Sequence, residues 1–294
     1  MLNSALSWIY NLFVMFSIFV ILIAVVLYFY QDKMIYQPNP VMINLPTPDL
    51  NPEGYRNPGE RGIPYQDEFI QTSDGFRIHA WFMKRPEQDA ATIIYFHGNA
   101  GNLGFRLDIY ETLYKTVKTN VLAVSYRGYG YSEGKPNEIG LNLDSEAVMK
   151  HIFDSSVNKN KIFVFGASLG GAVAIYVAQK FPNIRGIMIE NTFTSLPELV
   201  DHLMPKIAWM KSLILRNYWP SIQRLPFVNC KILFIAGVKD ELIPHAHMLE
   251  LYKIAKDEQK EIFLIQDGDH NMSWKIAGPE FSVRVESFIK RSLE

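Results

Sequence analysis

The stretch "KIFVFGASLGGAVAIYVAQ", Lys161 to Gln179, decides the fold. Its first half is a run of β-branched and aromatic residues, which is typical of a strand buried on both faces of a sheet. Its second half is an Ala-rich amphipathic run, which predicts a helix. Between them, Ser168 has a glycine two positions away on each side, at Gly166 and Gly170. The pattern predicts a sharp strand-to-helix turn, because glycines there let the strand and the helix approach closely.

A serine on such a turn is a candidate nucleophile. Its hydroxyl reacts poorly near neutral pH unless a base removes the proton and the backbone holds it in an exposed position. The turn at Ser168 would expose the hydroxyl at the C-terminal edge of the sheet, where open α/β sheets bind ligands. The N-terminus of the following helix adds positive potential that favours an oxyanion. The alternative is a glycine-lined tight turn with an incidental serine.

Strands and helices alternate on both sides of this stretch. The segments "TIIYF", "NVLAVSY", "RGIMIEN", "CKILFIAG" and "EIFLIQ" are predicted strands, and helices are predicted near residues 105–118, 141–153 and 281–293. Two earlier segments, "DEFIQT" and "FRIHAWFM", predict an antiparallel hairpin at the edge of the sheet. The sequence therefore predicts an α/β fold, with a mostly parallel central sheet and helices on both faces.

A general base for Ser168 is expected on the loop after the last strand, because the order on such sheets is serine, acid, histidine. Of the seven histidines, His270 in "IQDGDHNMSW" lies there. The alternative is a surface histidine. Asp240 in "IAGVKDELIP" follows a strand between the two and is the favoured acid. Asp267 and Asp269 compete with it, but they lie so near His270 in sequence that turn formation is the better interpretation.

An oxyanion needs two preorganised N–H donors. One is expected from the backbone of Leu169, directly after the candidate nucleophile. The other is expected from the glycine-rich loop "FHGNAGNLG", with Asn99 as the candidate and Ala100 as the alternative. This loop lacks both G-x-G-x-x-G and G-K-[ST], so it does not predict a nucleotide site. Glu190 and Asn191 end a strand and are expected to brace the catalytic loop.

The N-terminus is apolar. Residues 12–30 contain one polar side chain, Ser17, and no charge. A helix over these residues is long enough to cross the hydrocarbon core of a bilayer. A cleaved signal peptide is the alternative, but there is no basic n-region and no small-residue cleavage pattern. Orientation and organelle stay open. We divide the chain into an anchor at 1–32 with 9–30 in the bilayer, a Pro-rich tether at 33–64, and a catalytic domain at 65–294 with a small helical cap at 196–226.

Composition excludes several classes of function. The formal net charge is −1 with no basic stripe, so no nucleic-acid partner is expected. Cys230 is the single cysteine, which gives neither a disulfide nor a cysteine zinc site. His245 and His247 are a weak metal pair without a third ligand. No metal and no organic cofactor are expected.

Six motifs, in order along the chain, resemble a known family: "FHGNAGN", "SYRGYGYSEG", "GASLGG", "ENTFTS", "GVKDELIP" and "DGDHN". The chain resembles the membrane-anchored serine hydrolases of the α/β-hydrolase superfamily, of the bud-emergence type, whose relatives include the protein depalmitoylases. The resemblance implies the α/β-hydrolase fold from residue 33 onward, a Ser168, Asp240 and His270 triad, and an oxyanion loop at "HGN". The chain lacks the N-terminal cysteines of the depalmitoylases, and Met272 replaces an acidic residue often found in the family.

These features together predict a single-pass, membrane-anchored serine hydrolase. Its expected substrates are carboxylic esters or thioesters with an acyl chain, from a lipid or an acylated protein at a membrane. The alternative is a catalytically silent membrane scaffold that keeps a hydrolase fold, since fold alone does not fix function.

Overall fold

The computed structural model of the protein describes residues 2–256, 258 and 260–294. Within these residues, eight strands form one sheet: β1 (Gln66–Gln71), β2 (Arg77–Met83), β3 (Thr92–Phe96), β4 (Asn120–Val124), β5 (Ile162–Ala167), β6 (Gly186–Glu190), β7 (Lys231–Gly237) and β8 (Lys260–Ile265). Their order is β1-β2-β4-β3-β5-β6-β7-β8. The two pairings of β2 are antiparallel and the other five are parallel. The predicted fold class, including the antiparallel hairpin at one edge, is confirmed.

Ten α-helices are present in the described part of the chain. They are α1 (Leu2–Ile35), α2 (Leu107–Glu111), α3 (Glu138–Asp154), α4 (Leu169–Lys180), α5 (Leu196–Leu203), α6 (Lys211–Ile214), α7 (Ser221–Arg224), α8 (Ala246–Ile254), α9 (Ser273–Ala277) and α10 (Pro279–Leu293). The helix predicted near 105–118 is irregular, because α2 continues into a π-helical turn at Thr112–Thr116. The Thr112 hydroxyl donates to the Asp108 carbonyl at 3.0 Å, a back-bond that competes with regular helix geometry.

The core lies on both faces of the sheet. Along β5, Ile162 and Val164 belong to one apolar cluster, with side chains from α3 and α4. The alternate residues Phe163 and Phe165 belong to the other cluster, with side chains from α2 and α10. Because both faces of β5 are buried, its sequence is a continuous apolar run rather than an alternating one.

The N-terminal region ends in contact with the sheet domain. Within the described residues, one helix is long and apolar enough to cross a membrane, over Leu6–Ile35. After it, Tyr36 is buried, and Gln37 forms a parallel β-bridge with Ala100. Helix α1 thus runs three residues beyond the anchor boundary predicted at 32. The segment at 33–64 is predicted as an extended tether that either leaves the membrane freely or lies across the domain, and the bridge at Gln37 agrees with the second form. The domain boundaries themselves stay a prediction.

The segment at 196–226 contains α5, α6 and α7, with a 3₁₀ turn at Ala208–Met210 before α6 and another at Leu225–Phe227 after α7. Helix α5 begins at Leu196, where the Ser195 hydroxyl accepts from the Glu198 N–H at its first turn. It ends at Leu203, two residues before Pro205, which cannot continue a helix. This part of the chain, called the cap below, lies between β6 and β7 in sequence.

Candidate active site

Ser168 lies at the turn between β5 and α4, where the sequence predicts it. Its φ is +54°, in a region that non-glycine residues rarely adopt. A Cβ on Gly166 would lie 2.1 Å from the Gly170 carbonyl oxygen, and one on Gly170 would lie 2.0 Å from the Phe96 oxygen. Both distances are far below van der Waals contact, so larger residues do not fit. The glycines therefore let strand and helix meet at the angle that exposes Ser168.

The strained backbone at Ser168 is held by hydrogen bonds from the neighbouring strand end. Its N–H donates to the Glu190 carbonyl at 2.8 Å. Its carbonyl accepts from the Thr192 hydroxyl at 2.7 Å and from the Gly171 N–H at 2.9 Å. Strained conformations of this kind persist where the surroundings fix them, and they concentrate at functional sites.

The structure brings Ser168, Asp240 and His270 together in one row. The His270 Nε2 atom lies 3.1 Å from the Ser168 Oγ, and its Nδ1 lies 2.7 Å from the Asp240 Oδ2. Asp240 is buried, and its other oxygen accepts from the N–H groups of Leu242 and Ile243 at 2.9 and 2.8 Å. These two backbone donors leave Oδ2 facing the imidazole, so the carboxylate fixes the ring orientation.

The two competing aspartates have other partners. Asp267 is exposed, and its Oδ1 lies 2.6 Å from the Lys239 ammonium. Asp269 accepts from the N–H groups of Asn271 and Met272 at 3.0 and 2.6 Å, which closes the turn after His270. Both therefore act as surface or turn residues, as their positions in the sequence suggest.

Asn191 braces the loops that carry the acid and the histidine. Its side-chain amide donates to the carbonyls of Asp269 and His270 at 2.9 and 3.1 Å. Its side-chain oxygen accepts from the Gly237 N–H at 2.8 Å, at the end of β7. Its φ of +47° is one that asparagine tolerates better than most residues. One side chain thus connects the end of β6 to the loops after β7 and β8.

The candidate oxyanion donors line the same cavity as Ser168. Leu169 is the first residue of α4, where a backbone N–H has no partner within the helix. The carbonyl of Asn99 accepts from the Gln37 N–H at 2.9 Å and from the Tyr129 hydroxyl at 2.7 Å. The Asn99 side chain donates to the Ile35 carbonyl at 3.0 Å. The loop that carries the second candidate donor is therefore held at three points.

Two cavities reach Ser168. The first, called the cap cavity, has a volume of about 220 Å³ and lies between α1, the cap and the start of α4. Its wall is almost wholly apolar and includes Leu27, Met34, Ile35, Leu199, Leu203 and Ile207. An aliphatic group fits such a surface, whereas an unpaired charge would lose its hydration there.

The second cavity, called the polar cavity, has a volume of about 360 Å³. It reaches Ser168 from the side that includes His270, and its wall also carries Arg106, Lys275 and Glu190. Met272 also lies in this wall and is exposed.

Glu190 is a buried carboxyl in the wall of the polar cavity. Burial raises its pKa to about 8, the N–H of Trp274 at 3.2 Å opposes this, and the negative charge of Asp240 adds to it. At neutral pH the Glu190 carboxyl is therefore mostly protonated. In this form Glu190 adds no negative charge next to Asp240.

Sequence reasoning missed the contribution of α1 to this site. Leu27, Gln31, Met34 and Ile35 line the cap cavity, although the sequence predicts only an anchor and a tether there. The available signal is the step from an apolar run into "QDK" at Gln31, which places polar side chains inside a continuing helix. Among the described residues, no group of three or more His, Cys, Asp or Glu side chains could hold a metal ion. The expected absence of a metal and a cofactor stays a prediction.

Comparison with known proteins supports one family. Residues 91–217 match the family model described as "alpha/beta hydrolase fold". A solved esterase of Pyrococcus furiosus, 23% identical, has the same fold with a TM-score of 0.69 over 81% of this chain and 95% of its own.

Three curated relatives align over most of their length. The alpha/beta hydrolase domain-containing protein WAV2 of Arabidopsis thaliana is 34% identical over 85% of this chain and 84% of its own. An uncharacterized membrane protein of Saccharomyces cerevisiae is 35% identical over 83% and 84%. Protein bem46 of Schizosaccharomyces pombe is 33% identical over 87% and 86%. The chain therefore belongs to the bem46 type of the α/β-hydrolase family.

Proposed function

We propose that this protein is a membrane-anchored serine hydrolase that cleaves carboxylic esters or thioesters of acyl substrates. The observation that carries the proposal is the position of the His270 imidazole, 3.1 Å from the Ser168 hydroxyl and 2.7 Å from the buried Asp240 carboxylate. A hydroxyl, an imidazole and a carboxylate in this order are the groups that acyl transfer needs. The family and the fold are those of hydrolases, which agrees with this chemistry.

In the first step, the Ser168 Oγ attacks the acyl carbonyl carbon while the His270 Nε2 accepts its proton. The Asp240 carboxylate stabilises the imidazolium that forms and keeps the ring in one orientation. The tetrahedral oxyanion accepts hydrogen bonds from the N–H groups of Leu169 and Asn99. The intermediate then collapses, and His270 returns the proton to the departing alcohol or thiol, leaving an acyl group on Ser168.

In the second step, water attacks the acyl-enzyme. His270 removes a proton from the water, the new tetrahedral intermediate forms in the same oxyanion site, and Ser168 leaves with the proton from His270. The products are the free carboxylic acid and the original enzyme. The sequence of bonds formed and broken needs no oxidant or reductant.

Each of the two cavities binds a different part of the substrate. The leaving group must lie on the side of His270, since His270 protonates it, and the polar cavity is the one that includes His270. The acyl chain then occupies the apolar cap cavity. Membrane attachment is supported by the apolar helix Leu6–Ile35 and by the yeast relative, which is named as a membrane protein.

Steady-state hydrolysis of a panel of p-nitrophenyl esters, acyl thioesters and lysolipids, by full-length protein in detergent, tests the proposal. Wild type is expected to turn over at least one class. Ser168→Ala should lower kcat by on the order of 10⁶-fold, to background, because the attacking oxygen is lost. Ser212→Ala, an exposed serine of the cap, is the matched control and should behave as wild type. Turnover by Ser168→Ala at the wild-type rate would overturn the proposal.

A further inference from the structure

The cap cavity has walls from two parts of the chain that are far apart in sequence. Leu27, Met34 and Ile35 come from α1, whereas Leu199 comes from the cap. We propose that the last turns of α1 are one wall of the acyl-binding site, and that the acyl chain of a bilayer-embedded substrate passes into the cap cavity beside this helix. The inference rests on the proposed function. It adds where the acyl chain of the substrate binds and by which route it enters.

The polar side chain in the α1 wall offers nothing to a substrate. Gln31 is 5% exposed, and its amide is engaged by the cap. Its Nε2 donates to the Ile214 carbonyl at 2.7 Å, and its Oε1 accepts from the Arg216 N–H at 2.7 Å. An aliphatic chain entering the cavity therefore breaks no hydrogen bond. A charged head group would find no partner there, which selects an uncharged acyl chain as the occupant.

A second set of contacts keeps α1 against the cap. Asp32 lies 2.8 Å from the Arg216 guanidinium and accepts from the Asn217 side chain at 2.7 Å. The buried Tyr36 hydroxyl donates to the Asn217 Oδ1 at 2.8 Å and accepts from the Trp219 indole at 3.0 Å. Satisfied polar networks of this kind fix one arrangement of the elements they join. The α1 wall is therefore formed before any substrate binds.

The same end of α1 also contacts the candidate oxyanion loop. The Ile35 carbonyl accepts from the Asn99 side chain at 3.0 Å, and the Gln37 N–H donates to the Asn99 carbonyl at 2.9 Å. The end of α1 and the residues directly after it thus contact both the acyl cavity and the loop that carries a candidate oxyanion donor. This makes the end of α1 part of the site rather than only a membrane anchor.

The level of the cavity matches the surface of a bilayer crossed by α1. Leu27 lies within the apolar stretch, about 12 Å along the helix from Ile35, and Asp32 is the first charged side chain of the sequence. Met34 lines the cavity yet is 47% exposed, so the cavity reaches the outer surface along α1. Trp209 and Leu213 of the cap are 64% and 72% exposed, as expected for side chains in the interfacial layer.

A matched pair of substitutions tests the wall. Leu27→Trp places a larger side chain into the cap cavity, whereas Val26→Trp adds the same side chain at an exposed neighbouring position outside the cavity wall. For each variant we would measure kcat/KM for p-nitrophenyl palmitate and for p-nitrophenyl butyrate. The palmitate-to-butyrate ratio should fall at least about tenfold for Leu27→Trp, since methylenes lose their binding surface. For Val26→Trp the ratio should equal that of wild type.

The outcomes separate the two claims. If wild type turns over none of the p-nitrophenyl esters, acyl thioesters and lysolipids in a Ser168-dependent way, the proposed function is overturned and this inference with it. If the esters are cleaved but both variants keep the wild-type ratio, α1 is not a wall of the acyl site while the proposed function stands. Parallel assays with a lysophospholipid in vesicles and with an S-palmitoylated peptide show whether the chain comes from lipid or from protein.

A second measurement uses unaltered protein and so does not depend on how a variant folds. A long-chain alkyl fluorophosphonate with a terminal diazirine reacts at Ser168 and is then photoactivated. Peptide mapping should find cross-links to residues 27–35 and to the cap. Cross-links confined to the polar cavity, around Arg106 or Trp274, would overturn the inference.

Discussion

Asp240 and Asp267 are a natural pair for testing what the acid does, because both lie near His270 and only one contacts it. Asp240→Asn should lower kcat on the order of 10⁴-fold, since an amide can hold the imidazole in the wrong tautomer and cannot stabilise the imidazolium. Asp267→Asn removes only an exposed ion pair with Lys239 and should leave kcat unchanged. Ester hydrolysis under saturating substrate measures both. Equal loss in the two variants would mean that the assignment of the acid is wrong.

Glu190 gives the folded protein a pH dependence of known sign. Its pKa is raised from 4.5 to about 8, so between these values the folded state binds more protons than the unfolded state. The free energy of unfolding should therefore fall as pH rises through this window, and Glu190 contributes no penalty below it. Thermal midpoints of wild type and Glu190→Gln in detergent, from about pH 5 to about pH 8, should show a shallower fall in the variant.

The control for this comparison is Glu241→Gln, which neutralises an exposed carboxyl next to Asp240 in the loop after β7. It should keep the wild-type slope of thermal midpoint against pH. A slope in Glu190→Gln as steep as in wild type would show that Glu190 is not the group responsible.

At the residue scale, local sequence context was enough to choose Ser168, Asp240 and His270, and the structure brings these three side chains together. Each follows a strand of the same parallel sheet, and the carboxyl ends of such strands share one edge. The bracing role of Asn191 was expected from its position at a strand end, but its partners in the loops after β7 and β8 depend on loop conformations that no local pattern records.

At the element scale, the turn between β5 and α4 depends on sterics rather than on flexibility. Gly170→Ala would bring a Cβ within 2.0 Å of the Phe96 carbonyl oxygen, a backbone atom that cannot give way cheaply. We expect a loss of stability on the order of 3 kcal/mol. Gly75→Ala is the control, because its Cβ meets nothing within 4 Å and its φ of +91° adds strain alone, of about 1 kcal/mol.

Thermal melting of the two variants in detergent compares the steric cost at Gly170 with the backbone strain at Gly75. Gly170→Ala should melt well below Gly75→Ala. Equal melting temperatures would mean that the close approach of β5 and α4 is not what requires a glycine there.

The strands were predictable because their buried faces produce long apolar runs, and β3, β5 and β6 begin and end near the expected residues. Helix α2 was not predictable in detail. Its periodicity indicates a regular helix, but a Thr112 back-bond and a π-helical turn alter its end. Side-chain to backbone hydrogen bonds of this kind depend on geometry that hydrophobic periodicity does not encode.

At the scale of the whole molecule, the sequence indicated the architecture but not how its N-terminal helix is joined to it. An apolar run predicts a helix of sufficient length, and the prolines after it predict an extended chain. The packing of α1 on the cap depends on pairs such as Gln31 with Ile214, which are 183 residues apart in sequence. Contacts over that separation leave no periodic signal in either segment.

The central claim is that Ser168 is made reactive by His270 and Asp240, and active-site labelling tests it most directly. Full-length wild type in detergent is treated with a fluorescent fluorophosphonate. The Ser168→Ala variant is treated in the same way, after its thermal midpoint has been checked to equal that of wild type. We predict strong covalent labelling of wild type, mapped to Ser168, and none of the variant. Equal labelling of both proteins, or none of either, would contradict the account and favour a silent scaffold with a hydrolase fold.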